Sequence, residues 1–102
     1  MRNTFIEILI ENAKNDDSIV LIVGDLGFNV VEPFAKKYPE RFINAGICEQ
    51  SMASIAAGMA KEGFKVFIYS KKRTSISFYT EPSVLWFNIT EPIIIYIKKC
   101  KL

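Results

Sequence analysis

Phe5, Ile8, Leu9 and Ala13 recur at the spacing of one helical face, and Thr4 followed by Glu7 fits a capping box. The first element is therefore predicted to be a helix. Asn15, Asp16 and Asp17 break the pattern, and Ile19-Val20-Leu21-Ile22-Val23 follows as an unbroken apolar run. A strand without alternation is one covered on both faces, as in a parallel sheet. Gly24-Asp25-Leu26-Gly27 then reads as a turn at its carboxyl end. A short helix is predicted over residues 31–37, with Pro33 tolerated in its first turn and Pro39 as its stop. Residues 42–44 read as a short strand. Met52, Ile55, Ala56 and Met59 fall at i, i+3, i+4 and i+7, which predicts a helix over residues 49–61 with Gly63 as its C-cap. Residues 66–69 form the next apolar strand. Strands alternating with helices predict an α/β fold, a parallel sheet with crossover helices.

The texture changes after Ser70. All five glycines and all seven alanines lie at or before Gly63. Beyond position 70 the chain is rich in Lys, Ser, Thr, Ile, Phe and Tyr, with Pro82 and Pro92 as interruptions. Residues 83–89 and 93–97 are candidate strands, and no helical pattern is evident. Position 70 is thus a candidate boundary between residues 1–70 and a tail of residues 71–102 that completes or extends the domain.

Charge and composition narrow the chemistry. Residues 1–70 hold seven Lys or Arg against nine Asp or Glu, a net of −2, and residues 71–102 hold six against two, a net of +4. That basic end lacks the clustered Arg and Lys with interleaved aromatics of a nucleic-acid binder, so no nucleic-acid partner is expected. The run over residues 93–97 is far shorter than the roughly twenty apolar residues of a membrane span. Two cysteines, Cys48 and Cys100, make no disulfide framework, and with no secretory signal a cytoplasmic protein is expected. Histidine is absent, which excludes a Ser-His-Asp triad, a Cys-His pair and a His-ligated zinc within the chain. Catalysis here must run through carboxylates, lysines, a thiol or a borrowed cofactor.

Two motifs carry candidate chemistry. Gly24-Asp25-Leu26-Gly27 is neither a dinucleotide fingerprint nor a phosphate loop, which ranks a generic nucleotide-binding domain low. It is a plain strand-to-helix turn on one reading. On the other it lies where open α/β sheets bind ligands, beyond the carboxyl ends of the strands. Asn44-Ala45-Gly46-Ile47-Cys48-Glu49-Gln50 places a carboxylate in the first turn of a helix just after a short strand. The helix dipole favours its ionised form, and burial would oppose it. An ordinary first-turn glutamate satisfies the same pattern. Gly46 serves either a tight turn or a close backbone approach, Cys48 reads as a small packing residue, and Gly58 inside the helix suggests close packing.

Taken in order, several segments resemble one family. They are Gly24-Asp25-Leu26-Gly27-Phe28, Phe34-Ala35-Lys36-Lys37-Tyr38-Pro39-Glu40-Arg41-Phe42-Ile43-Asn44, Gly46-Ile47-Cys48-Glu49-Gln50-Ser51-Met52, Ile55-Ala56-Ala57-Gly58-Met59-Ala60 and Gly63-Phe64-Lys65-Val66-Phe67-Ile68-Tyr69-Ser70. Over about residues 1–70 the chain is similar to the pyrimidine-binding domain of transketolases, above all to bacterial forms split into two subunits, where this domain opens the C-terminal subunit. The resemblance implies thiamine diphosphate as cofactor and two-carbon ketol transfer between sugar phosphates. It implies that Glu49 hydrogen-bonds the N1′ ring nitrogen of the aminopyrimidine. That contact favours the tautomer whose 4′-nitrogen takes the C2 proton of the thiazolium. It also implies that Asp25 and Leu26, with Gly46, approach the cofactor.

The resemblance weakens after Ser70. Family members continue with an aromatic-bearing segment lining the pyrimidine pocket, whereas Lys71-Lys72-Arg73-Thr74-Ser75-Ile76-Ser77-Phe78-Tyr79 departs from that pattern. Phe78 and Tyr79 are candidates for the aromatic wall. The tail is expected to be an altered reading of the gene or a truncated, divergent end. The Gly-Asp-Gly motif by which the family holds Mg²⁺ and diphosphate is also absent, since Gly24-Asp25-Leu26 is not that motif. A partner, the diphosphate-binding N-terminal subunit, is therefore expected to bring Mg²⁺ and the second wall of the site, in an oligomer. The alternative is a non-catalytic remnant or interaction module that keeps the scaffold alone.

Overall fold

The computed structural model describes residues 2–24, 30–46, 49–69, 84–90 and 94–99. Helix α1 spans Arg2–Asn15 and strand β1 spans Ile19–Val23. Helix α2, Glu32–Lys37, is followed by a 3-10 turn over Pro39–Arg41 and by strand β2, Phe42–Asn44. Helix α3 covers Glu49–Lys61, and strands β3, β4 and β5 cover Lys65–Tyr69, Val84–Thr90 and Ile94–Lys99. The strands form one sheet in the order β2-β1-β3-β5-β4.

The first three strands are parallel, with Leu21 opposite Phe42 on one side of β1 and Phe67 on the other. This is the parallel sheet with crossover helices that the residue pattern predicts. Every residue of β1 is buried, as its unbroken apolar run requires. Alternate residues serve two cores. Val20, Ile22, Val66, Ile68, Ile95 and Ile97 pack with the inner face of α3. Ile19, Leu21, Val23, Tyr69 and Ile94 pack with α1 and α2 on the other side. The chain thus makes three layers, helix on sheet on helix.

The last two strands differ from the first three in direction. β5 runs antiparallel to β3, with Phe67 opposite Tyr96, and β4 runs antiparallel to β5. Only residues 91–93 separate the two strands. A parallel crossover needs a dozen or more residues, so a connection this short permits a hairpin alone. Its apolar Ile95 and Ile97 extend the core beneath α3.

Two helical details depart from the residue pattern. α1 begins at Arg2, so Thr4 lies inside the helix and does not cap it. Its buried stripe is Ile6, Leu9 and Ala13, whereas Ile8 is 55% exposed. In α3 the buried stripe is Met52, Ala53, Ala56 and Ala60, and Ile55 is exposed. With Ala53, Ala56 and Ala60 facing the sheet, the phase of the helix places Ile55 outward.

Gly58 also departs from expectation. It is exposed, and a Cβ added there meets none of the described residues within 4 Å, so close packing among them does not explain it. Gly58→Ala is expected to stabilise the protein by roughly 0.5–1 kcal/mol, because alanine lowers the entropy of the unfolded chain and favours helix. A denaturant midpoint unchanged or lowered would refute this. Gly63, by contrast, has φ +104° and closes α3 as the pattern predicts. Its N–H donates to the Ala60 carbonyl at 3.0 Å, and the Phe64 N–H donates to the Met59 carbonyl at 3.2 Å.

The amino end of the sheet is tied by polar contacts. Asp16 accepts from the Ser18 N–H at 3.0 Å and pairs with Lys65 Nζ at 2.5 Å. Arg41 donates to the Ala13 carbonyl at 3.1 Å and the Asp16 carbonyl at 2.9 Å, and its guanidinium lies 4.1 Å over the Tyr38 ring. The Lys65 ammonium, then the Ser18 hydroxyl and N–H, hold the Asp16 carboxyl at about 2, below its ordinary 3.8. A depressed carboxylate stabilises the fold above its unfolded pKa, and that contribution fades as pH falls from about 4 toward about 2. The Lys65 side chain is 47% exposed, so solvent screening reduces the gain. Asp16→Asn is expected to cost about 1 kcal/mol at pH 7 and almost nothing near pH 2. Unfolding curves at the two pH values test this, and an equal cost at both would refute it.

Candidate functional site

The site is built where the carboxyl ends of β1 and β2 meet the start of α3. β1 ends at Val23, whose carbonyl accepts the Ala45 N–H at 2.8 Å and so continues the ladder one residue past β2. Asn44 Oδ1 then accepts the Gly46 N–H at 2.9 Å, closing a side-chain-stabilised turn. Gly46 has φ +75°, a conformation that side chains disfavour, and a Cβ there would meet none of the described residues within 4 Å. The geometry at Gly46 is thus that of a tight turn. Three residues further on, Glu49 opens α3.

Behind this turn the packing is tight. Gly24 is buried at the end of β1, and a Cβ on it would lie 2.9 Å from Met52 Cε and 3.1 Å from the Gly46 carbonyl oxygen. Met52, fully buried, is one helical turn beyond Glu49. The end of β1, the Gly46 turn and the first turn of α3 thus meet at one edge of the sheet. Among the sequence candidates, the structure brings together Gly46 and the helix start at Glu49. Asp25 and Leu26 lie outside the described residues, as do Cys48, Phe78 and Tyr79. Asn44 and Met52 are site components that the motif reading missed. An Asn two residues before a Gly is a local signal for the first, and nothing local marks the second.

A hollow of about 470 Å³ opens elsewhere, between α1 and the surface of β3 and β5. Its wall is mostly apolar, with Phe67 stacked on Tyr96 at 4.6 Å and tilted against Phe5 at 5.9 Å beside Ile8, Leu9 and Ile19. The charged groups on its rim, Asp16 and Lys65, pair with each other. It shares no lining residue with the Gly24–Gly46 edge, so the two places are separate. Among the described residues no three His, Cys, Asp or Glu side chains gather to hold a metal ion, and no helix is long and apolar enough to cross a membrane.

The Gly46 turn and the start of α3 thus lie at the carboxyl edge of the three parallel strands, where open α/β sheets in general bind ligands. The family of transketolase pyrimidine-binding domains matches residues 1–79, and the chain belongs to that family. It is 45% identical over 71 residues to a Methanocaldococcus jannaschii protein named as a transketolase C-terminal section, covering 69% of this chain and 22% of that one. It is 42% identical over 71 residues to a 1-deoxy-D-xylulose-5-phosphate synthase of Clostridium perfringens, covering 67% of this chain and 12% of the synthase. It is 40% identical over 68 residues to one subunit of the apulose-4-phosphate transketolase of Phocaeicola vulgatus, covering 66% and 22%. The chain therefore spans at most about a fifth of the length of these relatives.

Proposed function

We propose that this chain contributes the aminopyrimidine side of a thiamine-diphosphate site in a transketolase-type enzyme that moves two-carbon ketol units between sugar phosphates. The observation that carries the reading is the meeting of Gly24, the Gly46 turn and Met52, in the first turn of α3, at the carboxyl edge of the parallel strands. The turn at Gly46 presents no side chain, and the space a Cβ would fill there is open among the described residues, which suits the approach of a flat ring. Glu49 opens a helix whose buried stripe, Met52, Ala53, Ala56 and Ala60, packs on the sheet, and in this reading its carboxyl group shares a proton with the ring nitrogen N1′. Asp25 and Leu26, next in the chain after Gly24, complete the protein's side of the contact in this reading. When bound, the cofactor supplies the electron sink that makes a ketose carbon–carbon bond breakable.

The names of two relatives, one a C-terminal section and the other a transketolase subunit, support a second polypeptide as partner. That partner brings the diphosphate-binding domain with Mg²⁺, and the working form is an oligomer. Residues 71–102 act in this reading as a divergent tail that extends the domain. Mixing the full chain with a diphosphate-binding transketolase subunit, thiamine diphosphate and Mg²⁺ tests the proposal. Ketose-phosphate-dependent two-carbon transfer that requires both chains is the expected result. A stable, well-folded complex that binds no cofactor and turns over no ketose phosphate would leave only the non-catalytic interaction module.

A further inference from the structure

We infer that Gly24 is a positioning residue: the missing side chain at the end of β1 seats the Gly46 turn and Met52, and through them the first turn of α3. The inference rests on the reading of Glu49 given above.

Three contacts converge on the space a Gly24 side chain would need. A Cβ there would stand 2.9 Å from Met52 Cε, 3.3 Å from Met52 Sδ and 3.1 Å from the Gly46 carbonyl oxygen. The two neighbours differ in how they can yield. Met52 Cε is the far end of a flexible chain, but Met52 is fully buried in the core with Val20, Ile22, Ala56 and Ile68, so its retreat is into packed side chains. The Gly46 oxygen is backbone. Its turn is held by the Ala45 N–H on the Val23 carbonyl and by the Gly46 N–H on Asn44 Oδ1. An added methyl group therefore pushes the turn and the helix start together. Met52 stands three residues after Glu49, so a shift of its backbone carries the first turn with it. Gly24 touches neither cofactor nor substrate in this scheme and acts only through what it seats.

The test uses the full chain in complex with its diphosphate-binding partner. Gly24→Ala is compared with Ala13→Gly, a substitution in the buried stripe of α1 that weakens the fold away from the site. Thermal midpoints and the Kd for thiamine diphosphate, by calorimetric titration with Mg²⁺ present, are the readouts. Gly24→Ala is expected to raise Kd about tenfold or more, since displacement of a positioning group by less than 1 Å is costly. Ala13→Gly is expected to stay within about twofold of the parent, as its effect is on overall stability alone. Gly24→Ala combined with Met52→Ala keeps the contact with the Gly46 oxygen but removes Met52 Sδ and Cε. It is expected to bind more tightly than Gly24→Ala and less tightly than the parent. Should Gly24→Ala not fold, the double variant is set against Met52→Ala alone: weaker binding by the double variant supports the inference, and equal binding overturns it. A Kd for Gly24→Ala no higher than that of Ala13→Gly also overturns it. The two readings separate cleanly. If Glu49→Ala lowers turnover and affinity while Gly24→Ala changes neither, positioning alone is lost; if Glu49→Ala changes neither, the site itself is misassigned.

Discussion

Glu49→Ala in the reconstituted complex is expected to lower two-carbon transfer by at least about a hundredfold, the scale of a lost proton-transfer partner. Glu49 is the first residue of α3, and a charge in a first turn contributes only about 0.3–1 kcal/mol to helix stability. The variant should therefore fold, melt within a few degrees of the parent and still assemble with its partner. Glu49→Gln sharpens the test, because the amide keeps the volume and a hydrogen bond but lacks the negative charge. Its loss of turnover should approach that of Glu49→Ala. Steady-state rates at saturating thiamine diphosphate, measured beside thermal midpoints, give the answer. Near-parental turnover for Glu49→Ala would remove the chemical role assigned to this residue.

Phe34→Ala should have the largest effect on folding, roughly 3–5 kcal/mol, which combines lost burial with the cavity left behind. Phe34 is fully buried and comes from α2, a helix of only six residues. So short a helix has little intrinsic stability and depends on what it buries. Phe34 joins Ile6, Leu9 and Val31 in the core on that side of the sheet, and the Tyr38 ring lies 5.4 Å from its own. Losing it frees α2 and loosens the turn that delivers the chain to β2. Small domains have roughly 5–15 kcal/mol of stability in all, so the variant should sit near the edge of folding. Phe34→Leu, which keeps most of the volume, should cost less than half as much. Chemical denaturation compares the three proteins, and a Phe34→Ala cost below about 1 kcal/mol would contradict the packing described.

Much of this architecture is legible in the residues because it is written in local periodicity. β1 reads as a doubly covered strand from five consecutive apolar side chains, and it is one. Gly63 reads as a helix stop and lies at φ +104°. The errors arise where a local signal competes with a tertiary one. Thr4 and Glu7 match a capping pattern, yet α1 starts at Arg2 because the stripe that packs is Ile6, Leu9 and Ala13. Gly58 looks like a packing glycine and faces none of the described residues. Residues 83–89 and 93–97 read as candidate strands between the prolines, and β4 and β5 lie there, but their antiparallel direction, which the shortness of their connection dictates, is no part of the apolar pattern. At the candidate site, the carboxylate and the turn were visible as a motif. The contact between Gly24 and Met52 was not, because it joins residues 28 positions apart through backbone geometry that neither residue type announces.

The Asp16–Lys65 pair and the Arg41 caps lie where β1 and β3 begin, whereas Gly24, Gly46 and Glu49 lie where the parallel strands finish. Robustness and, under the proposed function, reactivity are thereby assigned to opposite rims of one sheet, a strand's length apart. Sequence drift, or a protein engineer, can harden the first rim without disturbing the second, so thermal tolerance and catalytic character in this domain are free to evolve independently.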